Sequence, residues 1–174
     1  MEASIHPNWD ATMNEENHSL LENDAWDLVP LPKGWKLVRC KWVYKKKFGV
    51  DGKVDKHKAH LASKHFEQVE GIDYTETFSH VSKMNSIHLV LSLVASFKWE
   101  FHQMDIKFSF LHGDLHEEIY MEQPTSFMEK DSCLACHLKK SLYGLKQAPC
   151  TWYAKMGRFL LDTHFSRCHS HNDV

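Results

Sequence analysis

Residues 37–66 carry the pattern that most constrains how this chain can fold. From residue 37 to 47 two sets of side chains alternate: Val38, Cys40, Trp42 and Tyr44 on one face, and Arg39, Lys41, Val43 and Lys45 on the other. A period of two residues is typical of a β-strand with two different faces. The Asp51-Gly52 pair that follows favours a tight turn. We therefore expect a β-hairpin whose second strand runs through about Phe66.

The same segment is strongly basic, although the whole chain is not. Between Lys33 and Lys64 there are eleven Lys or Arg residues and two acids, a local charge of about +9 in a chain of net charge −2. The remainder therefore carries about −11. Such a segment attracts a polyanion such as nucleic acid. Alternatively, the lysines only keep an exposed hairpin edge soluble, and both interpretations stay open.

Length and composition are those of an ordinary globular protein, with 174 residues, 43% hydrophobic and 25% charged. No apolar run has the length of a membrane helix, and residues 1–6 lack the pattern of a secretory signal. Five cysteines without an export signal favour reduced thiols over disulfides. We therefore expect an intracellular protein, with nothing to distinguish cytoplasm from nucleus.

The other segments predict an α+β fold with helices and strands in mixed order. The apolar spacing predicts an amphipathic surface helix over 7–22 and a mostly buried helix over 84–97. Short strands are predicted at 26–31, 118–121 and 138–145, the last with a turn at Gly144. A polar loop is predicted over 128–132, and Pro149 can begin a final helix.

Asp105 is a lone carboxylate inside the predicted strand 101–110. An ionised group in a half-buried strand is costly unless a basic partner, hydrogen bonds or a metal ion compensates it. A turn with a second acid, Asp114, follows at once. A strand that carries an aspartate into a tight turn can hold magnesium for nucleotidyl transfer. The alternative is an edge-strand acid that faces water.

Cys133-Leu134-Ala135-Cys136-His137 matches the attachment signature of c-type haem. The absence of a targeting segment argues against haem. Zinc is a second interpretation, with ligands drawn from Cys133, Cys136, His164, Cys168, His169 and His171. With 14 histidines in the chain such clusters also arise by chance, so ordinary thiols and exposed histidines are the simpler interpretation.

Several common catalytic motifs do not occur in the sequence: GxGxxG, GxxxxGK[ST], GxSxG and HExxH. Their absence argues against a dinucleotide-binding, P-loop, hydrolase or zincin site.

A series of segments, in chain order, resembles the reverse transcriptase region of copia-type LTR retrotransposon Pol polyproteins. The matching segments are Trp9–Glu16, Trp26–Pro32, Cys40–Lys45, Lys58–Lys64, Glu70–Ser79, His102–Lys107, Phe110–Leu115, Glu117–Pro124 and Ser141–Pro149. The resemblance implies a right-hand polymerase fold in one truncated domain, with fingers at about 24–83 and a partial palm at about 84–174. It also implies RNA-directed DNA polymerase chemistry that uses Mg²⁺, a template-primer, nucleoside triphosphates and the other Pol domains.

The resemblance assigns roles to single residues. Asp105 matches the first catalytic, magnesium-binding aspartate, and Phe110 matches an aromatic gate beneath the incoming sugar. Lys58, Gly144 and Lys146 fall in segments that approach the nucleotide. The lysines that would approach the nucleic-acid backbone are Lys41, Lys45, Lys46, Lys47 and Lys64.

The chain also departs from the family pattern. His60 and Cys150 stand where the family has Arg, and Phe108 stands where a small Asn is usual. The family's catalytic Tyr-x-Asp-Asp sequence does not occur in the 174 residues. From Asp105 alone we expect no polymerase activity. The alternatives are a nucleic-acid-binding remnant without catalysis and a non-functional, decayed gene fragment.

Overall fold

The computed structural model describes residues 7–75, 77, 84–128 and 133–166. In that part of the chain the regular elements are α1 (Pro7–Glu22), β1 (Trp26–Pro30), β2 (Leu37–Val38), β3 (Cys40–Phe48), β4 (Val54–Ser63), α2 (Met84–Phe97), β5 (Tyr120–Met121), β6 (Leu134–Leu138) and α3 (Ala148–Asp162). The predicted α+β class is confirmed. None of these helices is long and apolar enough to cross a membrane.

Four strands form one sheet in the order β1-β6-β5-β2. β1 runs antiparallel to β6, with Trp26 opposite Leu138, and β2 runs parallel to β5, with Val38 opposite Met121. The sheet therefore joins strands from before residue 84 to strands from after it. Met121 and Cys136 lie at its centre and are 0% exposed. Full burial of a side chain such as Met121 contributes about 1.5–3 kcal/mol.

The predicted hairpin is confirmed as a separate two-stranded sheet of β3 and β4. The strands are antiparallel, with Cys40 opposite Ser63 at the base of the hairpin. In the turn Gly49 N donates a hydrogen bond to Lys53 O (2.9 Å), and Gly52 has a φ of +74°. Glycine adopts this left-handed conformation without steric cost. β4 ends at residue 63, earlier than predicted, because a 3₁₀ turn occupies residues 65–67.

The prediction of one strand over 37–47 was wrong, because the chain changes sheets at Arg39. β2 belongs to the four-stranded sheet and β3 to the hairpin. Where the chain changes sheets, two carboxylates accept hydrogen bonds from backbone N–H groups that a neighbouring strand would otherwise have paired with. Arg39 N donates to Glu67 Oε2 (2.9 Å), and Cys40 N donates to Glu122 Oε1 (2.8 Å). These two carboxylates therefore satisfy the backbone N–H groups at the point where the chain changes sheets.

The predicted helix over 7–22 is confirmed, with the same bounds. α1 packs on β4 and buries Met13 and Leu20. Trp9 lies with its ring edge-on to Tyr44 (5.1 Å between centroids), and the Tyr44 hydroxyl lies 3.2 Å from the sulfur of Met13. The helix therefore packs on the face of the hairpin that carries Tyr44 and His57.

The helix over 84–97 has the predicted bounds, but the prediction that it is mostly buried was wrong. None of the residues of α2 is buried. The predicted strand over 101–110 was also wrong: residues 101–106 have no regular structure, and Ser109–His112 form a 3₁₀ turn. Apolar periodicity specifies a helix locally, whereas burial and strand pairing need an element to pack against. The described part of the chain supplies no element that buries α2.

The later elements are shifted from their predicted bounds. β5 is limited to residues 120–121, and the predicted strand at 138–145 is replaced by β6, which ends at Leu138. The turn at Gly144 is confirmed, with a φ of +86°. α3 begins at Ala148, one residue before Pro149, which occupies the favoured first turn. The predicted loop lies mostly outside the described residues.

Candidate nucleotide and nucleic-acid site

Five lysines share the face of the hairpin that points away from α1. We call them the lysine face: Lys41, Lys45, Lys47, Lys56 and Lys58. Lys45 lies directly opposite Lys58, and Lys47 directly opposite Lys56. Opposite residues of an antiparallel pair stand on the same side of the sheet, and like charges at such positions destabilise it. A bound polyanion would remove this repulsion.

Lys46 and Lys64, the other lysines predicted to bind nucleic acid, are not part of the lysine face. Lys46 lies opposite His57 on the face covered by α1, where His57 meets the ring of Trp9 (4.5 Å between centroids). Lys64 follows β4, and its backbone N donates to Arg39 O (2.8 Å). The pKa of Glu67 is held below its ordinary value. The main cause is the hydrogen bond from the Arg39 side chain, and the charge of Lys64 adds a smaller effect in the same direction.

Three rings lie together beyond Lys58 and form what we call the ring cluster: His60, Tyr143 and Phe110. The His60 ring lies 4.9 Å from the Tyr143 ring at an angle of 30°. Phe110 meets Tyr143 edge-on at 4.7 Å and 76°. His60 stands opposite Val43 on the lysine face. The structure therefore brings Phe110, predicted from the sequence, to Tyr143 and His60, which were not predicted as site residues.

Tyr143 is placed by its neighbour Gly144. Tyr143 O accepts a hydrogen bond from Ser63 N (2.8 Å), so this turn lies along the edge of β4. A Cβ on Gly144 would stand 2.2 Å from Ser63 O, and the φ of +86° is a second reason for glycine here. The structure shows Gly144 in contact with the backbone of β4, where it permits the close approach that puts Tyr143 beside His60.

Lys146, predicted to approach the nucleotide, is engaged with the segment before residue 76. Its Nζ donates to the Tyr74 hydroxyl (2.8 Å), and its backbone N donates to Gln68 Oε1 (2.9 Å). Gln68 Nε2 donates to Gln147 Oε1 (3.0 Å), and Gln147 Nε2 to Asp73 O (2.9 Å). Both glutamines are buried. Sequence reasoning missed this network, because an isolated glutamine gives no signal that it will be buried.

Asp105 is exposed but lies close enough to act on the ring cluster. The pKa of the Tyr143 hydroxyl is raised by burial, by Glu16 and by Asp105. Magnesium requires several oxygen ligands. Among the residues that the structure describes, no group of three or more His, Cys, Asp or Glu side chains could hold a metal ion. Those residues therefore do not by themselves fit a magnesium site.

The chain is similar to known proteins over most of its length. A family model described as reverse transcriptase (RNA-dependent DNA polymerase) matches residues 23–173. The chain belongs to the reverse transcriptase family. The resemblance inferred from the motifs is thus confirmed. No solved structure matches the chain.

Two similar proteins are retrovirus-related Pol polyproteins of plant transposons. The one from transposon TNT 1-94 of Nicotiana tabacum is 50% identical over 159 residues, which are 91% of this chain and 12% of the relative. The one from transposon RE2 of Arabidopsis thaliana is 42% identical over 90% of this chain and 11% of the relative. An uncharacterized mitochondrial protein of Arabidopsis thaliana is 41% identical over 50% of this chain and 51% of its own length. The chain thus spans about an eighth of the Pol polyproteins it matches and corresponds to part of their reverse transcriptase region.

Asp114, the second acid, pairs with two lysines. Its carboxylate accepts hydrogen bonds from Lys140 Nζ (2.5 Å) and Lys155 Nζ (3.2 Å). These bonds hold the pKa of Asp114 below its ordinary value. The ion pair with Lys155 joins the turn after Phe110 to α3. The two ion pairs also compensate the negative charge of Asp114 without a metal ion.

Phe108 and Cys150 are two of the residues at which we expect a departure from the family pattern. Phe108 has φ 53° and ψ 36°, the left-handed region that asparagine tolerates better than a bulky ring. Its side chain packs against the hydrophobic core, which offsets part of the strain. Cys150 lies in the first turn of α3 and lines a cleft of about 280 Å³ with Lys155 and Arg158.

The haem and zinc interpretations of the 133–137 segment meet an obstacle at Cys136. Its side chain is 0% exposed in β6, and burial raises the pKa of the thiol to about 12. Metal coordination needs a thiolate, and haem attachment needs an accessible thiol. Cys133 is exposed, whereas Cys168, His169 and His171 lie outside the described residues. The residues that are described do not fit either group.

Proposed function

We propose that this chain forms the fingers and the first part of the palm of a right-hand polymerase that copies RNA or DNA templates into DNA. Residues 24–83 would form the fingers and residues 84–174 part of the palm. One observation carries the proposal: in a chain of the reverse transcriptase family, the lysine face leads into the ring cluster, and Asp105 lies near the same rings.

The geometry suggests that the template would bind at the lysine face and the incoming nucleotide at the ring cluster. Lys41, Lys45 and Lys47 would bind the phosphates of the template, because a row of cations follows a nucleic-acid backbone. Lys58 stands next to the ring cluster and would approach the triphosphate. Aromatic rings stack on nucleosides, and Phe110 would lie beneath the incoming sugar.

We propose Asp105 as one ligand of Mg²⁺, with the remaining ligands outside the described residues. Two-metal phosphoryl transfer needs carboxylates that hold both cations. The 174 residues contain no Tyr-x-Asp-Asp sequence, so catalysis by this chain would need acids from elsewhere in a polymerase. We therefore expect the isolated chain to bind substrates without extending a primer.

Primer extension tests this proposal. The 174-residue chain alone should incorporate no nucleotide in the presence of Mg²⁺. A chimera in which it replaces the matching segment of the TNT 1-94 Pol polyprotein should extend a primer on an RNA template. Asp105→Asn should abolish extension by the chimera, whereas Glu100→Gln, an exposed acid of the same loop, should leave it unchanged. Extension by the Asp105→Asn chimera would contradict the proposal.

Binding of nucleic acid without catalysis is a second candidate function, favoured by the two opposed lysine pairs. Affinity for single-stranded RNA should fall steeply with salt. Each of Lys45→Gln and Lys58→Gln should reduce the slope of log affinity against log salt by roughly one phosphate contact. Lys46→Gln, on the opposite face, should reduce it less. Equal effects of all three variants would show that the lysine face is not the binding surface.

A further inference from the structure

Helix α2 has no packing partner in the described part of the chain. None of its residues is buried, although apolar side chains occupy most of its 14 positions. A helix that is apolar on all sides belongs in the interior of a protein. A single helix of this length is also marginal in water, because its stability comes from packing. α2 therefore needs a surface on which to pack.

An apolar groove runs along one side of α3. It has a volume of about 230 Å³, and its lining includes Met156, Gly157 and Leu160, which lie on one stripe of the helix, followed by Phe165. Thr151 lies outside this stripe and contacts the turn before Asp114, near Gly113. The groove is therefore a second surface of α3, separate from the one that packs on the rest of the chain.

α2 and the groove match in charge. The sequence of α2 contains no Asp, Glu, Lys or Arg, and among the described residues no charged side chain lines the groove. An unpaired charge is costly to bury, and the centres of protein interfaces are accordingly poor in charged residues. Neither surface would bury a charge if the two came into contact.

The two helices also match in length and in spacing. α2 has 14 residues and α3 has 15, so each is about 21–23 Å long. On α2 a stripe is formed by Ile87, Val90, Leu91 and Val94, with the same spacing of three and four residues as the stripe of α3. Rows of side chains with this spacing pack into the grooves of a neighbouring helix.

The exposed apolar surface is large enough for a stable contact. It continues from α2 into the aromatic side chains of Phe97, Trp99 and Phe101, each at least 60% exposed. An aromatic side chain buries about 150–250 Å² when it is fully covered. Together with the stripe of α2, these rings approach the area of about 800 Å² per partner that a standard interface buries.

We infer that α2 of one copy of this chain docks in the α3 groove of a second copy. Within one chain α2 does not fill the groove, since none of its residues is buried. Every copy carries both halves of the contact, so the contact is heterologous and links copies into closed rings or open chains. The inference does not depend on the proposed nucleotide site.

Two complementary double variants test the contact. Val90→Lys with Leu91→Lys places charges on α2, and Leu161→Lys with Phe165→Lys places charges in the groove. All four side chains are at least 40% exposed, so each variant keeps its fold. In sedimentation velocity the unmodified chain should associate as its concentration rises. Each double variant should have a dissociation constant at least about tenfold higher.

Mixing the two double variants distinguishes this contact from other modes of association. An equal mixture should form one-to-one pairs, because one variant supplies an intact groove and the other an intact α2. Val50→Lys, at the fully exposed tip of the hairpin, is the control and should associate as the unmodified chain does.

An unmodified chain that stays monomeric at every concentration overturns the inference. So does a mixture that fails to pair while each variant alone is monomeric, since that result indicates contact between two α2 helices. As a measurement without a variant, hydrogen exchange of the α2 amides should slow as concentration rises, while exchange in α1 stays constant. Exchange in α2 that does not respond to concentration also overturns the inference.

Discussion

Gly144 lies against Ser63 so closely that no side chain fits between them. An added Cβ would be 2.2 Å from the Ser63 carbonyl oxygen. The backbone of Gly144 also has a φ of +86°. These two constraints fix the turn that carries Tyr143 to the edge of β4.

Gly144→Ala should therefore lower the free energy of unfolding by more than about 2 kcal/mol, since a backbone clash adds to the strain of a positive φ. Gly34 is the matched control: its φ is +90°, and a Cβ there would meet no atom within 4 Å. Gly34→Ala should cost only about 1 kcal/mol. Urea denaturation of both variants gives the comparison, and equal losses would contradict the role assigned to the contact with Ser63.

Lys45→Glu should change stability and binding in opposite directions. The new carboxylate faces Lys58 across the strands, so the repulsion becomes an attraction worth roughly 0.2–1 kcal/mol. Affinity for single-stranded RNA should fall, because a cation of the lysine face is lost. Thermal unfolding and RNA titration measure the two effects. Lys46→Glu serves as the control, and an equal loss of RNA affinity in that variant would argue against a binding surface limited to one face.

Asp114 should make stability depend on pH in the acid range. Lys140 and Lys155 lower its pKa in the folded chain, so folding favours the ionised form. Its contribution is present above the ordinary aspartate pKa and is lost as pH falls through the lowered value. The carboxylate is 49% exposed, so solvent screening limits this contribution to about 1 kcal/mol or less. Asp114→Asn should be less stable than the unmodified chain at pH 7 and equal to it near pH 2; a constant difference would refute this assignment.

The thiols should differ sharply in reactivity. Burial raises the pKa of Cys40 and of Cys136 to about 12, so few of these thiols are ionised at neutral pH. Cys133 is exposed and should react with iodoacetamide before Cys40 and Cys136 do. Mass spectrometry of the native chain at pH 7.5 measures the order of labelling. Rapid labelling of Cys136 would show that β6 opens or that its burial is incomplete.

Local sequence signals predicted the elements that depend on local interactions. The hairpin follows from alternation and from Gly52 in its turn, and α1 and α2 follow from helical spacing. The change of sheet at Arg39 could not be predicted, because it depends on Glu67 and Glu122, carboxylates far away in the sequence. The burial expected for α2 and the strand expected around Asp105 failed for a related reason, since both depend on packing partners rather than on spacing.

For the candidate site, charge was the most informative sequence signal. It identified the lysines of the hairpin, but alternation had to be applied residue by residue to separate Lys45 from Lys46. Tyr143 and His60 carry no charge pattern that links them. Their contact arises from the glycine turn beside β4, which only the folded chain shows.

The four-stranded sheet pairs strands from before residue 84 with strands from after it, and this matters for synthesis on the ribosome. When synthesis has reached residue 83, β1 and β2 exist without β6 and β5, the strands with which they respectively pair. The nascent chain can form the hairpin and its contacts with α1 early, because all of them lie within residues 7–63. The sheet must wait until residue 138 has left the exit tunnel, and until then the apolar face of β1 is available to a chaperone.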